Sequence, residues 1–169
     1  MALRNIYVEG DPILRKKCRP VDKFDDKLAT LLDDMNETLD KADGVGLAAP
    51  QVGICKRLFV IHIENLRIEA VNPEITEPSG RQRVKEGCLS CPDVWGYVTR
   101  PKKVTLKAVS RSGEPFSMVL DGLAAQCVCH EAAHLDGQLF VDVVEEFIDP
   151  EEEEKPKKKR ASAVRRIKQ

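Results

Sequence analysis

The chain has 169 residues, 42% of them apolar and 33% charged, with a formal net charge of −1 at pH 7. That length suits one domain with a core large enough to fold without staples. The balanced charge gives no global basis for binding nucleic acid or an acidic membrane, and no run approaches the length of a transmembrane helix.

Met1-Ala2-Leu3-Arg4 leads into no long apolar segment, so a soluble, unexported, cytoplasmic protein is expected. Its six cysteines (Cys18, Cys55, Cys88, Cys91, Cys127 and Cys129) are then read as thiols, not as a disulfide framework. In chain order, Asp25 to Ala42 carries Leu28, Leu31, Leu32, Met35, Leu39 and Ala42 at helical spacing. This predicts an amphipathic helix near the N-terminus, with Gly44 as its stop. Gly44 to Gln51 reads as a glycine-rich turn. Arg57 to Ile63 (RLFVIHI) reads as a strand, and Arg67 to Ile75 and Gln82 to Lys85 as weaker ones. Val94 to Arg100 and Lys103 to Val109 are stronger strands, separated by Pro101. Ser110 to Glu114 is a turn leading into another short strand. Leu123 to Leu135 is apolar on most sides and predicts a buried helix. The fold class is α+β.

From Asp149 the composition changes. Glutamates at 151–154 meet Lys155 and the run Lys157-Lys158-Lys159-Arg160. Residues 1–148 are therefore read as one domain and 149–169 as a charged tail. The tail reads first as a solvated end, helical in part through acid-before-base pairing. Eight of the fourteen residues from Lys155 to Lys168 are Lys or Arg. That density also suits phosphate backbones bound without sequence specificity.

Within the predicted buried helix, His130-Glu131-Ala132-Ala133-His134 spells H-E-x-x-H. Positions i and i+4 share a helical face, so both imidazoles can reach one metal ion. A catalytic site of this kind needs a third protein ligand and an open position. Cys127 shares the face but lies about one turn toward the N-terminus, roughly 4.5 Å along the axis from His130. One straight helix does not easily wrap all three around one tetrahedron. Cys88 and Cys91 form C-x-x-C, which with the two histidines could close a Cys2His2 structural zinc site. That reading gives a zinc-stapled binding module without catalysis. The 38-residue gap from Cys91 to His130 counts against it. So does Glu131, a general base in hydrolytic sites that a closed site does not need. A thiol redox pair is disfavoured because the C-x-x-C does not open a helix in a βαβ context.

Gly44-Val45-Gly46-Leu47-Ala48-Ala49-Pro50-Gln51, Glu86-Gly87-Cys88-Leu89-Ser90 and His130 to His134, in this order, resemble the peptide deformylases. That family carries GxGLAAxQ, EGCLS and HExxH in a chain of about this length. The resemblance runs from Asp11-Pro12-Ile13-Leu14-Arg15 to Phe140-Val141-Asp142 and leaves out the tail. It implies antiparallel sheets packed around a central buried helix carrying HExxH, with an N-terminal amphipathic helix. It makes Cys88 the third ligand beside His130 and His134, on one divalent ion, iron(II) or zinc, with Cys91 a bystander.

The resemblance also implies a reaction: water activated by the metal attacks the formyl carbon of an N-formylmethionyl nascent peptide. Glu131 would carry the proton to the leaving amine. Gln51, through its side-chain amide, and Leu89, through its backbone N–H, would hold the oxyanion. Val45, Gly46 and Gly87 would offer backbone contacts to an extended peptide, with no side chain at Gly46 to block its approach. Leu123 and Cys127 would line the methionine pocket. Glu86 and Arg100 look like an ion pair bracing the metal-site loop, although an ordinary surface pair reads the same. His62, alone in a strand, reads as structural. Two positions depart from the family: Cys129 and Ala133 stand where it usually has Gln and Asp. Losing such supporting groups can cost roughly 10–100-fold in metal affinity or activity. A deformylase-like protein with weak or different amide hydrolysis is therefore one alternative, and the binding module another. A deformylase meets nascent chains, so the basic tail is expected to contact the ribosome. No membrane and no sequence-specific nucleic acid are expected as partners.

Overall fold

The computed structural model describes residues 2–150; Met1 and the charged segment 151–169 lie outside the described residues. The described chain folds as α+β, with helices α1 (Asp26–Ala42) and α2 (Gly122–His134) and eight strands. The strands are β1 (Gly46–Ala48), β2 (Leu58–Ile63), β3 (Leu66–Ser79), β4 (Gln82–Cys88), β5 (Cys91–Arg100), β6 (Lys103–Val109), β7 (Pro115–Asp121) and β8 (Glu146–Phe147). They form a five-stranded sheet ordered β1-β2-β3-β6-β7 and a three-stranded sheet ordered β4-β5-β8. Every pairing among these strands is antiparallel.

Helix α1 starts where the Asp25 carboxylate accepts from the Leu28 N–H at 3.1 Å, satisfying one orphan donor of the first turn. Its periodic Leu28, Leu31, Leu32, Met35 and Leu39 are buried against Leu47, Leu58, Val60 and Val71 of the larger sheet. The stop is one residue earlier than expected. Asp43, not Gly44, takes the left-handed conformation (φ 54°) and its N–H caps the carbonyls of Asp40 and Leu39. Aspartate tolerates this region better than most side chains.

Strand β2 explains the nearly unbroken apolar run RLFVIHI, because both of its faces are covered. Leu58 and Val60 pack toward α1. Phe59, Ile61 and Ile63 join Ala125 and Val128 of α2 in a second cluster. A third cluster, Leu14, Cys91, Val98, Leu139 and Phe140, lies with the smaller sheet. All six cysteines are free thiols, as the composition suggested. Among the described residues no helix is long and apolar enough to cross a membrane.

Two strands appear where the sequence showed none. Gly46–Ala48, read as part of a turn, pairs with Ile61 to Phe59 of β2, and Pro50 then opens a short 3-10 turn. Glu146–Phe147 pairs with Tyr97 and Gly96 of β5. Strand β1 is an edge of the larger sheet and β4 an edge of the smaller one. Residues of both line one cleft of about 1090 Å³.

Candidate metal centre and active-site cleft

Helix α2 places His130 and His134 one turn apart, with ring centroids 5.1 Å from each other. Cys88 reaches them from the last position of β4, where the Leu89–Ser90 turn ends the ladder. The sulfur and one ring nitrogen from each histidine lie within 4.8 Å of one another. Cys88 Sγ is 3.4 Å from His134 Nε2. His130 Nδ1 lies 2.8 Å from Glu86 Oε1. A carboxylate can only accept, so the shared proton sits on Nδ1 and Nε2 presents its lone pair.

The electrostatics suit a cation. Burial, with the charges of His130 and Arg100, holds the His134 imidazole well below its ordinary value, so it stays neutral and able to ligate. The hydrogen bond with Cys91 and burial push the Cys88 thiol up, so an ion must displace its proton. Burial pulls His130 down, but the Glu131 and Glu86 carboxylates outweigh it and raise it. Glu131 Oε1 and His134 Nδ1 are buried without a hydrogen-bond partner. An orphaned buried carboxylate oxygen is costly, and a nearby cation compensates it. One thiolate, two imidazoles and an unpartnered carboxylate fit a divalent ion with an open position.

Glu86 and Arg100 do not form a surface pair, since they are only 4% and 9% exposed. Arg100 donates from Nε and Nη2 to the two carboxylate oxygens, each at 2.8 Å. Burial alone would raise the Glu86 carboxyl. The hydrogen bonds from Arg100 and His130 overcome it and hold the carboxyl down at about 2. A charged pair therefore anchors one histidine of the donor set.

Glu131 points from α2 into the cleft, its Oε2 4.0 Å from His130 Nε2. Burial, reinforced by the Glu86 charge, raises its carboxyl to about 7. Gly46 faces it across the cleft wall. A Cβ on Gly46 would lie 2.5 Å from Glu131 Oε2 and 2.9 Å from Cδ. The missing side chain thus leaves room for the carboxylate itself, beyond any substrate. Gly46→Ala is expected to displace Glu131 and lower turnover by about 100-fold or more, with metal content unchanged. Metal analysis beside a turnover assay checks this, and unchanged turnover would show that Glu131 tolerates the shift.

Val45, Gly87, Leu89, Leu123 and Cys127 also line the cleft. Gly87 is packed against Trp95, whose ring a Cβ would meet at 2.7 Å. Cys127 stands apart from the Cys88, His130 and His134 donor atoms. Gln51 is 1% exposed and sits behind the sulfur. Its Oε1 accepts from the Ala48 N–H at 2.9 Å, and its Nε2 lies 3.0 Å from Ser90 Oγ and 3.6 Å from Cys88 Sγ. Cys129 is half-buried and neighbours Arg100, and Ala133 carries no acceptor for the orphaned His134 Nδ1.

Sequence reasoning did not place Gln126, Trp95, Asp40 or Arg67 at the cleft, yet all four line it. Gln126 is locked by donating to the Lys85 carbonyl. His62, expected to be structural, is pinned by Asp40 at 2.8 Å and Asn36 at 2.7 Å, and also lines the cleft. Asp40, His62 and Arg67 meet through α1 and the β2–β3 pairing, while Gln126 comes from α2 and Trp95 from β5, so no local signal marks them.

The polypeptide deformylase family model matches residues 3–149. Among curated relatives, a peptide deformylase of Caldicellulosiruptor bescii is 55% identical over 152 residues, covering 90% of this chain and 92% of that one. One from Acetivibrio thermocellus is 48% identical over 169 residues, 99% of each chain. The crystal structure of peptide deformylase from Thermotoga maritima superposes with a TM-score of 0.84 at 41% identity, over 86% of this chain and 99% of that one. The family's extent, the shared fold and the convergence of Cys88, His130 and His134 agree, and the chain belongs to the peptide deformylase family.

Proposed function

We propose that Cys88, His130 and His134 hold the ion and that Glu131 moves the proton. The chain is a metal-dependent hydrolase that removes the N-formyl group from the N-terminal formylmethionine of nascent peptides and releases formate. It uses a single divalent metal. The observation that carries the residue assignment is the three-donor cluster beside the partnerless carboxylate of Glu131.

When bound, the ion supplies a Lewis acid that polarises the formyl oxygen and acidifies water. Glu131 accepts the proton of the attacking water and returns it to the leaving amine. The Gln51 amide, next to the Cys88 sulfur, and the Leu89 N–H, in the turn after it, stabilise the developing oxyanion. Helix α2 is the central scaffold, with neighbours from both sheets. The peptide lies extended between the edges of β1 and β4, where Val45, Gly46 and Gly87 offer backbone groups, as an added strand does at a free sheet edge. Leu123 and Cys127 form the wall for the methionine side chain.

Thiolate and imidazole donors suit iron(II) and zinc alike; we assign iron(II), tested by metal analysis on anaerobically purified protein. Cys88→Ser is expected to lose metal and formate release from formyl-Met-Ala-Ser together, because a hydroxyl replaces a thiolate poorly, while Cys91→Ser keeps both. The reverse pattern would move the ligand to Cys91.

The catalytic domain spans 1–148, and 149–169 is a separate basic tail that holds the enzyme near ribosomal RNA in the cytoplasm. Truncation after Pro150 is expected to spare hydrolysis of a short formyl peptide and to reduce co-sedimentation with ribosomes at low salt. Undiminished co-sedimentation would remove the tail from this role.

A further inference from the structure

The second cysteine of the C-x-x-C has no part in the chemistry above, yet it is placed against the first. Cys88 and Cys91 are register partners across the β4–β5 hairpin, separated only by Leu89 and Ser90. Opposed residues of an antiparallel pair have Cα atoms about 4.5–5.5 Å apart, inside the roughly 4.4–6.8 Å range that a disulfide spans. Cys88 packs against the buried cluster that contains Cys91. Their exposure differs in a useful way. Cys88 lines the open cleft. Cys91 is 2% exposed, buried with Leu14, Val98, Leu139 and Phe140. A small oxidant entering the cleft meets the first sulfur and not the second.

We propose that Cys88 and Cys91 form a reversible disulfide under peroxide, which withdraws Cys88 from the donor set and shields it from irreversible oxidation. The inference rests on Cys88 being a metal ligand. The Cys88 sulfur attacks hydrogen peroxide: an S–O bond forms, the O–O bond breaks and one water leaves. The Cys91 sulfur then attacks the sulfenic sulfur: the S–S bond forms, the S–O bond breaks and a second water leaves. Two thiols and one peroxide give one disulfide and two waters, the peroxide taking both electrons. The burial of Cys91 makes it a resolving thiol that is not itself consumed. With only two histidines left, metal binding weakens beyond the roughly 10–100-fold that loss of a supporting group costs. Cys18 and Cys55 neither line this cleft nor join the donor set.

The test treats metal-loaded protein with a small excess of hydrogen peroxide, traps free thiols, and reads the peptide containing both cysteines by mass spectrometry. Expected is a peptide lighter by two hydrogens, metal affinity down by more than about 100-fold, and full metal rebinding after a dithiol reductant. Cys91→Ser and Cys91→Val are expected to bind metal normally before treatment and then to accumulate sulfinic or sulfonic acid at Cys88, with no recovery. Wild-type protein that accumulates those acids at Cys88 while Cys91 stays alkylatable overturns the proposal. If the disulfide forms without metal loss, the protective role stands only for the thiol pair and its effect on the donor set is overturned. Metal content of untreated Cys88→Ser reports separately on the ligand assignment.

Discussion

Glu131→Ala is expected to keep its metal and to release formate roughly 100- to 10,000-fold more slowly, the usual contribution of a positioned acid–base group. Its carboxylate lies in the cleft beside Cys88, His130 and His134 but is not one of the three clustered donors. Loss of metal in the variant would put Glu131 among the ligands. The same carboxylate carries a cost in metal-free protein that Glu131→Gln exposes. Burial raises its value from 4.5 to about 7, so the folded state holds the proton longer than the unfolded chain. A raised folded value gives stability that is complete below 4.5 and is lost as pH rises through 7. Metal-free Glu131→Gln is therefore expected to match wild type near pH 4 and to exceed it at pH 8, by up to about 3 kcal/mol. Thermal unfolding at the two pH values measures the difference, and equal stability at pH 8 would show that the carboxylate is relieved by water. The strain sits at the proposed base, where acid–base chemistry calls for an unpaired group.

The elements that were legible in the sequence are those whose pattern repeats over several turns or pleats. Leu28 to Leu39 at helical spacing and the run RLFVIHI each state a face and a period, and α1 and β2 follow them within a residue. Strands β1 and β8 were not legible, because three and two residues carry no period and exist only through pairing with β2 and β5. The histidine pair is local, four residues apart on one helix, and so can be read directly. The third donor is not local: 41 residues lie between Cys88 and His130, and no spacing rule predicts that β4 ends beside α2. The deformylase motifs, not the geometry, singled out Cys88. Gly46 was read as room for a peptide backbone; its contact with Glu131 shows a second reason that depends on how β1 meets α2. Whether Glu86 and Arg100 form a bracing or a surface pair was open for a related reason. A salt bridge between two strands looks identical in sequence whether or not a helix covers it.

That covering makes Glu86→Ala the other substitution of large effect. It leaves the Arg100 guanidinium buried without its carboxylate and His130 Nδ1 without its acceptor. Breaking a buried pair from one side costs roughly 3–5 kcal/mol, and if His130 ligates as proposed, loss of its orienting partner weakens metal binding by about 10–100-fold. Glu86→Gln separates charge from shape, since its amide oxygen can still accept from one partner. In metal-free protein the Glu86 carboxyl is held at about 2 against an ordinary 4.5. A depressed folded value contributes stability that is complete above 4.5 and is lost as pH falls through 2. The part of the wild-type advantage over Glu86→Gln that comes from this carboxyl is therefore expected to shrink as pH falls below 4.5 and the carboxyl is protonated. Chemical unfolding across that range measures it. An advantage that did not change with pH would mean that packing around Glu86, not its charge, holds Arg100 and His130 in place.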